Sequence, residues 1–128
     1  MRILLDTHAM IWLHSEPERL GHHLEALEDA GTQRLVSAVV GWEIAIKCGL
    51  GRLSLPATPQ RWVPDRIERG AMTPVPIEMA HVLGVADLPP HHHDPFDRLL
   101  ISQARHLGVP ILTADRAFDA YDVEILTI

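Results

Sequence analysis

At 128 residues the chain is long enough to bury one real core and too short for two, so it is expected to be a single domain over 1–128. A formal net charge of −6 argues against an electrostatic nucleic-acid binder of the usual basic kind, although ten of the eleven basic residues are Arg, whose planar fork suits phosphate. The lone Cys48 excludes an internal disulfide and fits a reducing cytoplasm, no apolar run approaches the roughly 20 residues that cross a bilayer, and Asp6 and His8 stop the Met1–Leu5 run too early for a signal peptide.

Arg2-Ile-Leu-Leu-Asp6 reads as a short strand of the kind buried in a parallel sheet. Helices are expected over 8–14 and about 18–30, the second with Leu20, Leu24 and Leu27 on one face and Gly31 as its stop. A second strand at Arg34-Leu-Val-Ser leads into a helix through about Lys47, ended by Gly49 and Gly51. Another helix is expected over 58–70, and the prolines of Thr73-Pro-Val-Pro confine that segment to a sheet edge or end. A short helix over 77–84, a Pro- and His-rich loop, a helix from Asp94 to about Leu107, and strands at 109–113 and 123–126 complete the chain. Strands alternating with helices imply right-handed crossovers, hence an α/β fold with a short central parallel sheet between two helical layers.

In such a sheet, ligands bind beyond the carboxyl ends of the strands. Asp6 ends the first strand and Asp115 follows Ile111-Leu-Thr, so both project toward that edge, although either taken alone could be a turn former or helix cap. Glu43 falls inside the apolar stripe expected from Val39, Trp42, Ile46 and Leu50. A buried carboxylate needs a partner, a proton or a cation, and an i,i+4 pair with Lys47, at about 0.3–0.5 kcal/mol, would not repay burial. Asp94-Pro-Phe-Asp97 has the form of a helix start, with Phe96, Leu99, Leu100, Ala104 and Leu107 as the buried face, Asp97 at its margin and Asp94 pointing further away.

Carboxylates converging on one pocket repel one another unless a cation shares the site, and oxygen ligands select Mg²⁺ or Mn²⁺ over zinc. Metal-assisted phosphoryl transfer is therefore the leading chemistry. An aspartyl phosphatase would need a second Asp at position 8, which is His8, and Gly49-Leu-Gly51 lacks the glycine or Gly-Lys-Ser/Thr that would make a nucleotide loop. His91-His-His93 is expected to be a solvated loop, and Trp12, Trp42 and Trp62 to serve core or interface.

Four segments, Leu4-Leu-Asp-Thr-His-Ala9, Trp42-Glu-Ile-Ala-Ile-Lys47, His91-His-His-Asp-Pro-Phe-Asp-Arg-Leu-Leu-Ile101 and Leu112-Thr-Ala-Asp-Arg-Ala-Phe118, together resemble PIN domains of the VapC-like toxin branch, in order and spacing over nearly the whole chain. The resemblance implies a PIN fold and an Mg²⁺- or Mn²⁺-dependent endoribonuclease, usually a homodimer, cutting a structured RNA such as a tRNA or ribosomal RNA loop. It also implies a small antitoxin that binds operator DNA and holds the enzyme inactive. The family's acidic positions fall on Asp6, Glu43, Asp97 and Asp115 as catalytic and metal residues, with Thr7 and Thr113 supporting them and Asp94 expected as a cap. Gly41 departs from the pattern, where relatives carry a larger residue or Ser. The competing reading is a PIN fold that has lost catalysis and only grips RNA or a protein. Related flap-cutting DNA nucleases are longer and carry more acidic ligands.

Overall fold

The computed structural model describes residues 1–128. Five strands, β1 (Arg2–Leu5), β2 (Gln33–Ser37), β3 (Thr73–Val75), β4 (Ile111–Thr113) and β5 (Ile125–Thr127), form one sheet in the order β3-β2-β1-β4-β5, with every pairing parallel. The helices are α1 (Thr7–Ser15), α2 (His23–Glu28), α3 (Ala38–Gly49), α4 (Pro59–Arg69), α5 (Met79–Gly84) and α6 (Pro95–Leu107). Strand order runs outward from β1 to β3 and then returns to β4 on the other side of β1. With right-handed crossovers, that reversal puts helices on both faces and opens a crevice between the ends of β1 and β4.

The strands are short because they need only cross a thin core. Ile3, Leu4, Leu5, Leu35, Val36, Ile111 and Leu112 are all buried, as expected where both faces of a sheet are covered. Pro74 lies at the middle of β3, on the outer edge of the sheet opposite Val36, where a missing N–H is tolerated. No helix is long and apolar enough to cross a membrane.

Three expectations need correction. The helix expected over 18–30 is two pieces, a 3-10 turn at Pro17–Leu20 and then α2, broken at Gly21, whose φ of 56° lies in the left-handed region. Leu20 and Leu27 still reach the core, because a turn and a helix can share one apolar face across the break. The last strand begins at Ile125 rather than Val123, and β4 at Ile111, so Pro110 stays outside the ladder it could not serve as a donor.

On α3 the buried side is Val39, Val40, Glu43 and Ile44, while Trp42, Ile46 and Leu50 are 48%, 37% and 62% exposed. This helix is apolar around most of its circumference, so periodicity does not choose which stripe faces inward; packing against α1, α4 and α6 does. Glu43 is buried as expected, though on a different stripe from the one inferred.

Candidate carboxylate cleft at the end of the sheet

The crevice between β1 and β4 holds a cleft of about 170 Å³, lined by Asp6, Glu43, Asp94, Asp97 and Asp115. Lys47 and His92 also line it. Five carboxylates against one ammonium leave a surplus of negative charge, and that imbalance governs the local electrostatics.

Each acid arrives by ordinary local chemistry. β1 ends at Leu5, and Asp6 caps α1, its Oδ1 accepting from the Ala9 N–H at 2.7 Å. Asp94 caps α6 with Oδ1, which accepts from Phe96 and Asp97 N–H at 2.8 and 3.1 Å. Beyond β4, Asp115 caps the 3-10 turn Arg116–Ala120 by accepting from Ala117 N–H at 2.9 Å. Cap and site residue are therefore compatible readings. A carboxylate has two oxygens, and in Asp6, Asp94 and Asp115 one serves the helix, which leaves the carboxylate able to meet a second neighbour, the Thr113 hydroxyl for Asp6 and His92 for Asp115 Oδ2.

Burial pushes the Asp6 carboxyl above the ordinary carboxylate range, against the Thr113 hydroxyl and the Ala9 N–H, which favour its charge, and with Glu43 adding to the rise. Asp97 is raised to about 7, first by burial and then by the neighbouring charge of Asp94. Asp94, expected to point away, lies close enough to act on Asp97 because both belong to the first turn of one helix. Glu43 is held at both ends, its Oε1 accepting from Thr7 Oγ1 at 2.5 Å and its Oε2 paired with Lys47 Nζ. The Lys47 ammonium is held charged by that bond and by Asp94 and Asp97. The ion pair weighed as an alternative for Glu43 therefore exists, together with burial of the acid.

Thr113 bridges two acids, since its hydroxyl favours the Asp6 charge while accepting the Asp115 N–H at 2.9 Å. The histidine run is not simply solvated. His91 and His93 are exposed, but His92 turns inward, its Nε2 lying 2.7 Å from Asp97 Oδ2 and 3.7 Å from Asp115 Oδ2. Ligand atoms of His92, Asp97 and Asp115 all lie within 4.8 Å of one another, two carboxylates and one imidazole close enough to share a single metal ion.

Two contributors escape a reading of the sequence. One is His92 itself, whose backbone N–H donates to Tyr121 Oη at 2.7 Å. The other is Arg98, whose guanidinium donates to the carbonyls of Val85, Leu88, Pro89 and His92 and so ties the loop that carries the histidine to α6. The one signal for His92 is its place five residues before Asp97; nothing in the sequence distinguishes Arg98 from a surface arginine.

Asp94→Ala is expected to cost about 1 kcal/mol through the lost cap. Because removing that charge also lowers the proton affinity of Asp97, the loss should shrink toward neutral pH in metal-free protein. Urea denaturation at pH 5 and pH 7.5 checks both statements.

The chain is thus an open parallel α/β protein with an acidic cleft at its topological switch, the edge at which sheets of this class bind their ligands. Residues 3–124 match the family model of the PIN domain, and the chain belongs to that family. Ribonuclease VapC16 of Mycobacterium tuberculosis is 38% identical over 55 residues, a stretch covering 43% of this chain and 39% of that protein. The fold is shared with VapBC2 of Rickettsia felis bound to a promoter DNA fragment, with a TM-score of 0.74 at 15% identity over 99% of this chain and 98% of that one. It is shared also with DNA-bound VapBC of Salmonella typhimurium (TM-score 0.72, 14% identity, 99% and 98% covered) and with FitAcB of Neisseria gonorrhoeae (0.63, 22%, 98% and 96%).

Proposed function

We propose that this PIN domain is a divalent-metal-dependent endoribonuclease, the toxin of a VapBC-type toxin–antitoxin pair. The observation that carries the reading is the gathering of Asp6, Glu43, Asp97 and Asp115 in one cleft at the end of the sheet. Family membership and the stretch shared with a ribonuclease support it.

Asp6, Asp97 and Asp115 would hold Mg²⁺ or Mn²⁺, with His92 and Thr113 fixing their orientation. Such an ion, when bound, supplies charge stabilisation to the phosphodiester and lowers the pKa of water. Glu43, locked between Thr7 and Lys47, is a fixed negative charge that orients the attacking water. Lys47, which lines the same cleft, can donate to a non-bridging phosphate oxygen while it stays paired with Glu43, because an ammonium has three donors.

The partner proteins are read the same way. Trp42, Ile46 and Leu50 on α3, and Met79, Val82 and Leu83 on α5, are exposed apolar side chains that support a homodimer or an antitoxin contact. An antitoxin Arg or Lys inserted among Asp6, Asp97 and Asp115 would take the place of the ion, as Lys47 already does for Glu43.

The substrate is expected to be a folded RNA cut at one or few positions, because sequence-specific recognition targets loops with splayed bases. Purified, antitoxin-free protein should generate a small set of new ends in total cellular RNA with Mn²⁺ and none in EDTA. Tight RNA binding with no cutting at any metal concentration would replace this reading by that of a binding module.

A further inference from the structure

A second recess, about 610 Å³, opens between the C-terminal half of α1, the 54–57 loop and α4, away from the carboxylates. Its lining is basic where the protein as a whole is acidic: Arg61, Arg66 and Arg69 against the single carboxylate of Asp65. Asp65 accepts from Arg66 at 3.1 Å and from Arg69 at 2.9 Å, which fixes two guanidinium heads in place, while no salt bridge engages Arg61.

Deeper in, His14 Nε2 and Arg66 Nε are buried without a hydrogen-bond partner, and so is the neighbouring Arg34 Nε. Arg66 and Arg34 both act electrostatically on the His14 ring, which burial already biases toward its neutral form. Of these residues His14 and Arg66 line the recess, and what an acceptor entering it would meet is the guanidinium heads of Arg61, Arg66 and Arg69, since the buried nitrogens themselves are closed to it. Two adjacent guanidinium charges require that acceptor to be an anion, and their forked donors match the oxygens of a phosphate.

Position identifies the source of the phosphate. Helix α1 begins in the carboxylate cleft with Asp6 as its cap and reaches this recess at His14, about 12 Å further along at 1.5 Å per residue. A nucleic-acid strand with its scissile phosphate in the cleft would run along α1 and arrive here within a few nucleotides. We propose that the Arg61–Arg66–Arg69 recess is a phosphate-binding subsite that grips the RNA backbone a few nucleotides from the cut. This rests on the ribonuclease reading of the cleft, and it gives an acidic protein one local foothold for a polyanion.

Arg61→Ala/Arg69→Ala tests it, because both side chains are exposed and their loss leaves the core intact. Binding is read without turnover, by fluorescence anisotropy of a labelled single-stranded RNA on Asp6→Asn protein with and without the double substitution. Affinity should fall at least tenfold, and the slope of log K against log salt should become shallower by about 0.7 for each phosphate no longer neutralised. In the wild-type background KM should rise with kcat unchanged, the mark of lost uniform binding. Inorganic phosphate should compete with RNA for the Asp6→Asn protein and not for the Arg variant.

Unchanged RNA affinity and salt slope would overturn the subsite, including the case where inorganic phosphate still binds there or where only inhibition by an acidic protein partner is lost. RNA binding that depends on the arginines in a protein that never cuts would uphold the subsite and sink the nuclease reading.

Discussion

Asp6→Asn and Asp97→Asn proteins should each cleave RNA at least about a hundredfold more slowly than wild type, a loss of about 2.7 kcal/mol of transition-state stabilisation. Asparagine is the informative replacement. Its side-chain oxygen can still accept the Ala9 N–H that caps α1, and at position 97 an amide can still meet His92 Nε2, so what disappears is charge rather than architecture. Alanine at position 6 would mix the chemical loss with a cap worth about 1 kcal/mol. Glu43→Gln should do nearly as much, since it removes the charge proposed to orient the attacking water while Thr7 can still donate to the amide oxygen. Initial rates on one defined RNA, with far-UV circular dichroism as the control for folding, decide the matter. A variant that keeps more than a tenth of wild-type activity would remove its residue from the reaction.

The second large effect is on stability. Metal bound only by the folded state stabilises it by mass action, about 2.7 kcal/mol at a hundredfold excess over Kd, which for a chain of this size is a rise of several degrees in Tm. Millimolar Mn²⁺ should therefore raise the wild-type Tm, and the rise should vanish in Asp6→Asn/Asp97→Asn.

The pH dependence has a definite sign. With Asp97 raised from 3.8 to about 7, the metal-free folded state binds more protons than the unfolded chain between those values. Its contribution to stability is present below about pH 4 and is lost as pH rises through 7. Since metal displaces those protons, the Mn²⁺-induced rise should be larger at pH 8 than at pH 6. Equal rises in wild type and the double Asn variant would mean that the ion binds elsewhere.

Much of this architecture is legible in the amino-acid order alone. Alternating strands and helices imply a parallel sheet, and a parallel sheet puts its ligands at one edge, so Asp6 and Asp115 can be paired across more than a hundred residues. The cap signature at Asp94-Pro95 is equally plain, because a helix start is a local event. What stays hidden is decided by packing. The inward stripe of α3 cannot be chosen while both stripes are apolar, and the break at Gly21 depends on a backbone angle that no periodicity reports. His92 is obscured by its neighbours, since three adjacent histidines look alike until a loop is folded and only one of them faces Asp97. Arg98 works through carbonyl oxygens, which carry no sequence signature at all.

One outer strand carries a further consequence. The sheet's β3 border is three residues long with proline at its centre, so a strand arriving from another molecule would find a broken row of donors. Growth of the sheet from chain to chain is blocked on that side, as it is wherever proline guards an exposed border. Fibrous aggregation through that border is disfavoured, and any self-association there must use side chains, which can be specific and reversible. On the proposed toxin reading, a protein that is sequestered and released would gain from that restriction, because its associations could be undone.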